Sequence, residues 1–192
     1  LSNDPLGQNN PGNTFKINHV GSVELAKKAK KTGVHRFIYT SSCSVYGAGT
    51  GDFLSEDADV NPQTAYAECK VLVEKEVGAL ADEDFSPVFL RNATAYGASP
   101  RMRFDIVLNN LTGLAKTINK IAMVSDGTPW RPLVHVLDIC KAIYCALEAP
   151  KETIHGEIFN VGHNGDNYQI REIAEIVGDT FPGCEVTMGP SG

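Results

Sequence analysis

Tyr66 and Lys70 stand four residues apart in the run N-P-Q-T-A-Y-A-E-C-K. On a helix, residues i and i+4 share one face, so the lysine ammonium can sit beside the tyrosine hydroxyl. Such a pair can do proton chemistry. A free phenol titrates near pH 10, so at neutral pH almost none of it is the base. Lowering it by roughly 3 units takes about 4 kcal/mol of preferential stabilisation of the phenolate, at ~1.36 kcal/mol per unit. A neighbouring cation and a hydrogen bond to the charged form both act in that direction. Upstream lies a hydroxyl cluster, Thr40, Ser41, Ser42 and Ser44. Ser42 could hold a substrate oxygen where the proton moves.

A Tyr-x-x-x-Lys spacing also arises as an ordinary helix face, so the elements that would position it matter. The apolar run Phe37, Ile38 and Tyr39 predicts a buried strand over 36–40 whose C-terminal end carries the hydroxyls. Residues 1–13 read as loop, and Phe15, Ile17, Val20, Val23, Leu25, Ala26 and Ala29 predict a helix over 14–31, ended by Gly33. The Tyr66 helix is expected over 62–80, with Pro62 in its first turn and Val71, Val73 and Val77 as apolar members. A Gly-rich, acidic loop over 47–59 precedes it, and a strand follows over 86–91. Helix alternating with apolar strand predicts right-handed crossovers and a parallel sheet covered on both faces. Ligands of such sheets lie outside the C-terminal strand ends, where residues 40–42 and 91–97 both fall.

Farther on, Phe104, Val107, Leu108, Leu111 and Leu114 are apolar at helical spacing, residues 121–125 read as a short strand, and Asp138 as the cap of a following helix. Residues 184–188 read as a last short strand.

Taken in order, the strand ending T-S-S, then V-Y-G, the loop and N-P-x-x-x-Y-x-x-x-K resemble the extended short-chain dehydrogenase/reductase family, in particular its nucleotide-sugar epimerases and dehydratases. The resemblance continues through R-N-A-T-A-Y-G and R-P-L-V-H-V-L-D, with residues 157–162 resembling the family's returning strand and 168–177 the helix after it, and covers nearly the whole chain. It implies an α/β fold, an incomplete Rossmann-type doubly wound parallel sheet plus a small C-terminal substrate-binding region. Residues 1–93 would be the C-terminal part of the dinucleotide-binding domain, and 94–192 a substrate-binding region interleaved with returning Rossmann elements at about 131–162. The resemblance further implies NAD or NADP as cofactor and a nucleotide sugar as substrate. Tyr66 would take a proton from a sugar hydroxyl while hydride passes to nicotinamide, Lys70 would lower the Tyr66 pKa and hold the cofactor ribose, and Ser42 would orient the sugar. Thr40 and Ser41 would line the nicotinamide side, with the backbone of Asn92 and Ala93 beside it. Asn18 is either a helper of Lys70 or a solvated helix residue. Thr94 and Asn110 would meet the nucleotide sugar, Asn110 being otherwise part of a polar helix face, and Arg131 would clamp its phosphates with a rigid fork of donors. His135 reads as a structural residue with a fixed hydrogen bond.

Two departures qualify the resemblance. Thr94 occupies the place of the family's asparagine, and Cys43-Ser44 follows Ser42 where a dehydratase of the family has Asp-Glu, which favours an epimerase or reductase. No G-x-x-G-x-x-G run occurs, so the pyrophosphate half of a dinucleotide site is expected from about two βα units ahead of Leu1, and this chain alone is expected to bind dinucleotide weakly and turn over nothing.

Composition narrows the alternatives. At 192 residues, 42% hydrophobic and 21% charged, the chain reads as an ordinary soluble globular protein, and a net charge of −6 argues against a nucleic-acid surface. No run approaches the roughly 18 apolar residues of a membrane span and no signal peptide opens the chain, which points to the cytoplasm. Five widely spaced cysteines without a C-x-x-C pair read as reduced thiols, and the histidines show no metal-ligand spacing, so no metal is expected. Two rival functions remain: a non-catalytic NAD(P)-binding sensor, which would be expected to lose Tyr66 or Lys70, and an oxidoreductase acting on a non-sugar alcohol or ketone, against which Arg101, Arg103 and Arg131 argue. Pairing of two copies through the helices of Asn18 and Tyr66 is a further expectation, with Val71, Val73 and Val77 either its surface or core.

Overall fold

In the computed structural model, residues 8–47 and 53–190 are described, so the loop expected over residues 1–7 and the middle of the Gly-rich loop lie outside the described residues. The chain forms two compact units, residues 1–92 with 140–161 and residues 93–139 with 162–192.

In the first unit the opening helix starts earlier than its apolar period suggests. The short helix α1 (Pro11–Thr14) lies where loop was expected, because Asn10 Oδ1 accepts from the Asn13 N–H at 3.0 Å and Pro11 gives up only an N–H that a first turn leaves unpaired. A π-helical stretch (Phe15–Val20) leads into α2 (Gly21–Lys31). Strand β1 (Arg36–Ser42) runs two residues beyond the expected 40, and a 3-10 turn (Cys43–Tyr46) follows at once. Helix α3 (Ala65–Gly78) corrects the expected start at Pro62: Thr64 is the cap, its side chain accepting from the Ala67 N–H at 3.1 Å. Strands β2 (Ser86–Asn92) and β6 (Ile158–Val161) complete a parallel sheet of order β1-β2-β6. Its register pairs Arg36 with Ser86 through Ser42 with Asn92, and Phe89 with Ile158 through Asn92 with Val161.

Alternation along β1 sends side chains to two cores. Phe37 and Tyr39 join Phe85 and Phe89 beneath Val23 and Ala26 of α2 and Val73 and Val77 of α3. Ile38 joins Val88 and Leu90 against Ala142, Ile143 and Ala146 of helix α5 (Val136–Glu148). Helices therefore cover both faces, which is the doubly wound α/β arrangement. Val73 and Val77 have no exposed surface at all, so they are core and not a pairing surface.

The second unit holds strand β3 (Thr94–Tyr96), helix α4 (Val107–Ile118), β4 (Lys120–Ala122), β5 (Trp130–His135), β7 (Asn167–Gln169), helix α6 (Ile170–Thr180) and β8 (Glu185–Thr187). β5 pairs parallel with β3 and antiparallel with β7, and β4 pairs parallel with β8. Leu111, Ala115, Ile121, Leu133, Ile173, Ala174 and Val177 form its core. The strand expected over 121–125 is shorter: residues 120–122 pair in register with β8, and beyond them the contact is reduced to single bonds, Met123 N–H to the Thr187 carbonyl and Gly189 N–H to the Ser125 carbonyl. Asp138 is not a cap but lies inside the first turn of α5, where a carboxylate still suits the helix dipole. His135 instead serves that helix start, its Nδ1 accepting from the Leu137 N–H at 3.3 Å. Among the described residues no helix is long and apolar enough to cross a membrane.

Candidate active site

The C-terminal end of β1 and the first turns of α3 bring Thr40, Tyr66 and Lys70 together. Lys70 Nζ donates to the Thr40 carbonyl at 2.6 Å and lies 5.4 Å from the centre of the Tyr66 ring and 4.5 Å from that of Tyr39. Two ring faces and a carbonyl thus hold the ammonium in place, both interactions favouring a cation. Burial works the other way and brings the Lys70 pKa down to about 8, against the pull of the Glu74 carboxylate one turn further along the helix. At that value the group is still charged at pH 7, by about ten to one. Burial likewise pushes the Tyr39 hydroxyl well above its usual range, so Tyr39 is a wall and not a base. The Cys69 thiol, buried between these residues, is pushed up to about 11 by the same cause, which makes it packing and not a nucleophile.

Ser42 is the last residue of β1 and caps the 3-10 turn, its Oγ accepting from the Ser44 N–H at 3.2 Å and lying 2.6 Å from Ser44 Oγ. The hydroxyl is half-buried at the strand end. Ser41 turns to the opposite face: it is 3% exposed and donates to Glu74 Oε1 at 2.5 Å, so any part it plays beside a cofactor comes from its backbone. Asn18 sits half-buried in the π-helical stretch, which packs against α3.

A buried polar set beneath these residues escaped the reading of the sequence. Arg91, in register with Ser41, sends Nε to Glu74 Oε1 at 3.1 Å and Nη2 to Glu74 Oε2 at 2.8 Å. Its Nη1 donates to Tyr46 Oη at 2.9 Å and to the Glu56 carbonyl at 3.1 Å. Tyr46 in turn donates to Asn160 Oδ1 at 2.7 Å, and the Asn160 N–H to Glu56 Oε1 at 2.7 Å. Burial disfavours the Arg91 charge, but the bonds to Glu74 and Tyr46 outweigh it and raise the guanidinium pKa further. The available signal was an arginine inside the apolar run S-P-V-F-L-R together with a glutamate four residues after Lys70 on the same helix face.

Asn92, at the end of β2 and in register with Ser42, has a buried Oδ1 with no hydrogen-bond partner among the described residues. An acceptor left open at a strand end fits an amide N–H such as the carboxamide of a nicotinamide. Lys70 fits the ribose hydroxyls of the same cofactor, since an ammonium has three donors and one is used on Thr40.

In the second unit, Ala93 is nearly buried, and Thr94 opens β3 opposite Leu133. Asn110 is exposed and donates to the Phe104 carbonyl at 2.9 Å, leaving its carbonyl oxygen outward. Its neighbour Asn109 is the buried one: Oδ1 accepts from the Gly97 N–H at 3.2 Å and Nδ2 donates to the Arg103 carbonyl at 2.9 Å, so Asn109 shapes the loop ahead of α4. Arg131 is exposed on β5 with Nη1 on the Trp130 carbonyl at 2.8 Å, which leaves most of its fork facing solvent. Arg103 pairs locally with Asp105. The His135 ring meets that of Tyr96 edge to face at 5.2 Å, consistent with a structural place. Among the described residues no group of three or more His, Cys, Asp or Glu side chains could hold a metal.

Comparison with known proteins shows the family to which the chain belongs. Residues 1–162 match the model of the NAD dependent epimerase/dehydratase family. The chain is 26% identical to a UDP-glucose 4-epimerase of Bacillus subtilis over 178 residues, covering 84% of this chain and 52% of that protein. It is 25% identical to a human dTDP-D-glucose 4,6-dehydratase over 162 residues, covering 84% of this chain and 45% of that protein. Among solved structures, MoeE5 in complex with UDP-glucose and NAD superposes with a TM-score of 0.78 at 25% identity, over 91% of this chain and 58% of that one. The chain therefore spans about half the length of the curated relatives it matches.

Proposed function

Since the chain belongs to the NAD-dependent epimerase/dehydratase family, we propose that the whole protein is an NAD-dependent nucleotide-sugar epimerase or reductase with Tyr66 as its acid–base group. The observation that carries this reading is the Lys70 ammonium, fixed by the Thr40 carbonyl against the ring of Tyr66 at the C-terminal edge of the sheet. When bound, NAD supplies the acceptor for hydride. Tyr66, as phenolate, takes the hydroxyl proton of the sugar carbinol as the hydride of the same carbon departs. Lys70 holds negative charge on the Tyr66 oxygen and reaches toward ribose hydroxyls with its remaining donors. Ser42 orients the reacting sugar hydroxyl. Thr40 and the backbone of Ser41, Asn92 and Ala93 line the nicotinamide side, and Asn18 supports Lys70 from the neighbouring helix.

The first unit thus carries proton transfer, and the second the recognition of the nucleotide sugar. Thr94 and Asn110 offer neutral hydrogen-bonding groups to it, and Arg131 a guanidinium for its diphosphate. In an epimerase, hydride would return to the opposite face of the same carbon while Tyr66 gives its proton back to the oxygen, so that no net reduction of NAD would remain. In a reductase, one direction consumes reduced cofactor.

Relatives that are 4,6-dehydratases raise dehydration as a second outcome. Cys43-Ser44 after Ser42 supplies neither carboxylate for it. The test is to incubate the whole protein with NAD and UDP-glucose, and separately dTDP-glucose, and to follow the sugar by proton NMR. Inversion at a single carbinol centre, or reduction at the expense of NADH, is expected. A 4-keto-6-deoxy product would establish dehydration, and an unaltered sugar with bound NAD would favour a sensor.

A further inference from the structure

Two successive turns of α3 grip the end of β1. Lys70 Nζ donates to the Thr40 carbonyl at 2.6 Å, and Glu74, one turn on, accepts from Ser41 Oγ at 2.5 Å. The same carboxylate takes the Arg91 fork from β2, and Arg91 is the register partner of Ser41. Arg91 then reaches Tyr46 and the Glu56 carbonyl, which ties down the turn that Ser42 caps. Ser42, the substrate-orienting hydroxyl of the proposed reaction, therefore stands between two residues fixed through one buried carboxylate.

We propose that Glu74 is a positioning residue: its carboxylate, shared between Ser41 and Arg91, sets the strand end that presents Thr40 and Ser42 and the charge environment of Lys70. Glu74 touches neither the sugar nor the cofactor and acts only through its neighbours. A stability role alone would need the carboxylate to pair with Arg91. It would not need the third bond to the strand that carries the site, nor a place on the Lys70 face of the helix.

The functional half of this inference rests on the reading of Tyr66, Lys70 and Ser42 as the site, so its test has an arm that does not. In the whole protein, lysines are reductively methylated with 13C-formaldehyde and the Lys70 resonance, identified by its loss in Lys70→Arg, is titrated. Glu74→Gln keeps the shape but removes an anion from the Lys70 side of the helix. Its Lys70 midpoint is expected to fall by at least about half a unit. An unmoved midpoint in folded Glu74→Gln overturns the proposal, whether or not the protein turns over any sugar. The second variant, Ser41→Ala, deletes the tether to β1 without altering charge. With NAD and UDP-glucose it is expected to lose roughly tenfold in kcat, as small misplacements of reacting groups do, with KM within about twofold. If Glu74→Gln does not fold, a wild-type kcat in Ser41→Ala overturns the proposal. If the wild-type protein turns over nothing, the reading of the site fails, and the Lys70 titration still decides the role of Glu74.

Discussion

Replacing Arg91 by methionine strands a carboxylate in the core of the first unit. Glu74 is 8% exposed and its two oxygens accept from Arg91 Nε and Nη2, with Ser41 Oγ as the one other donor among the described residues. Breaking one side of a buried ion pair costs about 3–5 kcal/mol, because the remaining charge keeps its desolvation penalty. Arg91→Met and Glu74→Leu are each expected to lose that much. The double variant removes both charges and takes one partner each from Ser41 Oγ, the Glu56 carbonyl and Tyr46 Oη, which keeps its bond to Asn160, at about 1 kcal/mol for each lost bond that is not replaced. With no stranded charge left, it should be no less stable than either single variant, which makes the coupling energy at least about 3 kcal/mol. Urea unfolding of the whole protein, compared at equal m-value, reads these differences as shifts of the midpoint. Single losses that add within about 0.5 kcal/mol in the double variant would refute the pair as the centre of this network.

Other positions give sharper contrasts. Gly97 has φ +108 and a Cβ there would lie 2.4 Å from His135 Nε2, whereas Gly33 has φ +81 in open space. Gly97→Ala should destabilise by more than about 2 kcal/mol and Gly33→Ala by only about 1, read as thermal midpoints. Thr64→Ala is expected to cost about 1 kcal/mol and Pro62→Ala much less, since Thr64 and not Pro62 begins α3. Lys70 should titrate near 8 in a methyl-label NMR experiment, and a midpoint near its usual 10.5 would contradict the burial that the two rings impose. Its folded pKa lies below the unfolded one, so its charge opposes folding below pH 8, and its contribution to stability rises between pH 8 and 10.5. Cys69, with a thiol raised to about 11 from 9, acts in the opposite sense between pH 9 and 11, so the Lys70 window is cleanest between 8 and 9.

The catalytic helix and its strand were legible because their signals are local. An apolar run fixed β1 and the four-residue spacing of Tyr66 and Lys70 put both on one face of α3. The helix starts were less legible, because caps compete: Asn10 and Thr64 had the side chains to accept a backbone N–H, whereas residues 1–13 read as loop and Pro62 as the first turn of its helix. Ser41 shows a second limit. In a run of four hydroxyl or serine-like residues the pleat decides which face each side chain takes, and that follows from the register with β2 and not from residue type. The Glu74–Arg91 pair was hidden for a related reason, since a glutamate on a helix and an arginine after an apolar run read as solvated unless the crossover that joins them is known. Asn109 and Asn110 are adjacent and chemically identical, and only the packing of α4 shows that the first is spent on the Gly97 loop and the second is open.

The measurement that bears most directly on Tyr66 is turnover by the whole protein, with NAD and its best nucleotide sugar, in wild type and Tyr66→Phe. Loss of the phenol oxygen should lower kcat at least about 100-fold, the low end of general acid–base catalysis, while the fold remains intact. Equal turnover in both proteins would contradict the assignment of Tyr66 as the proton-transfer group.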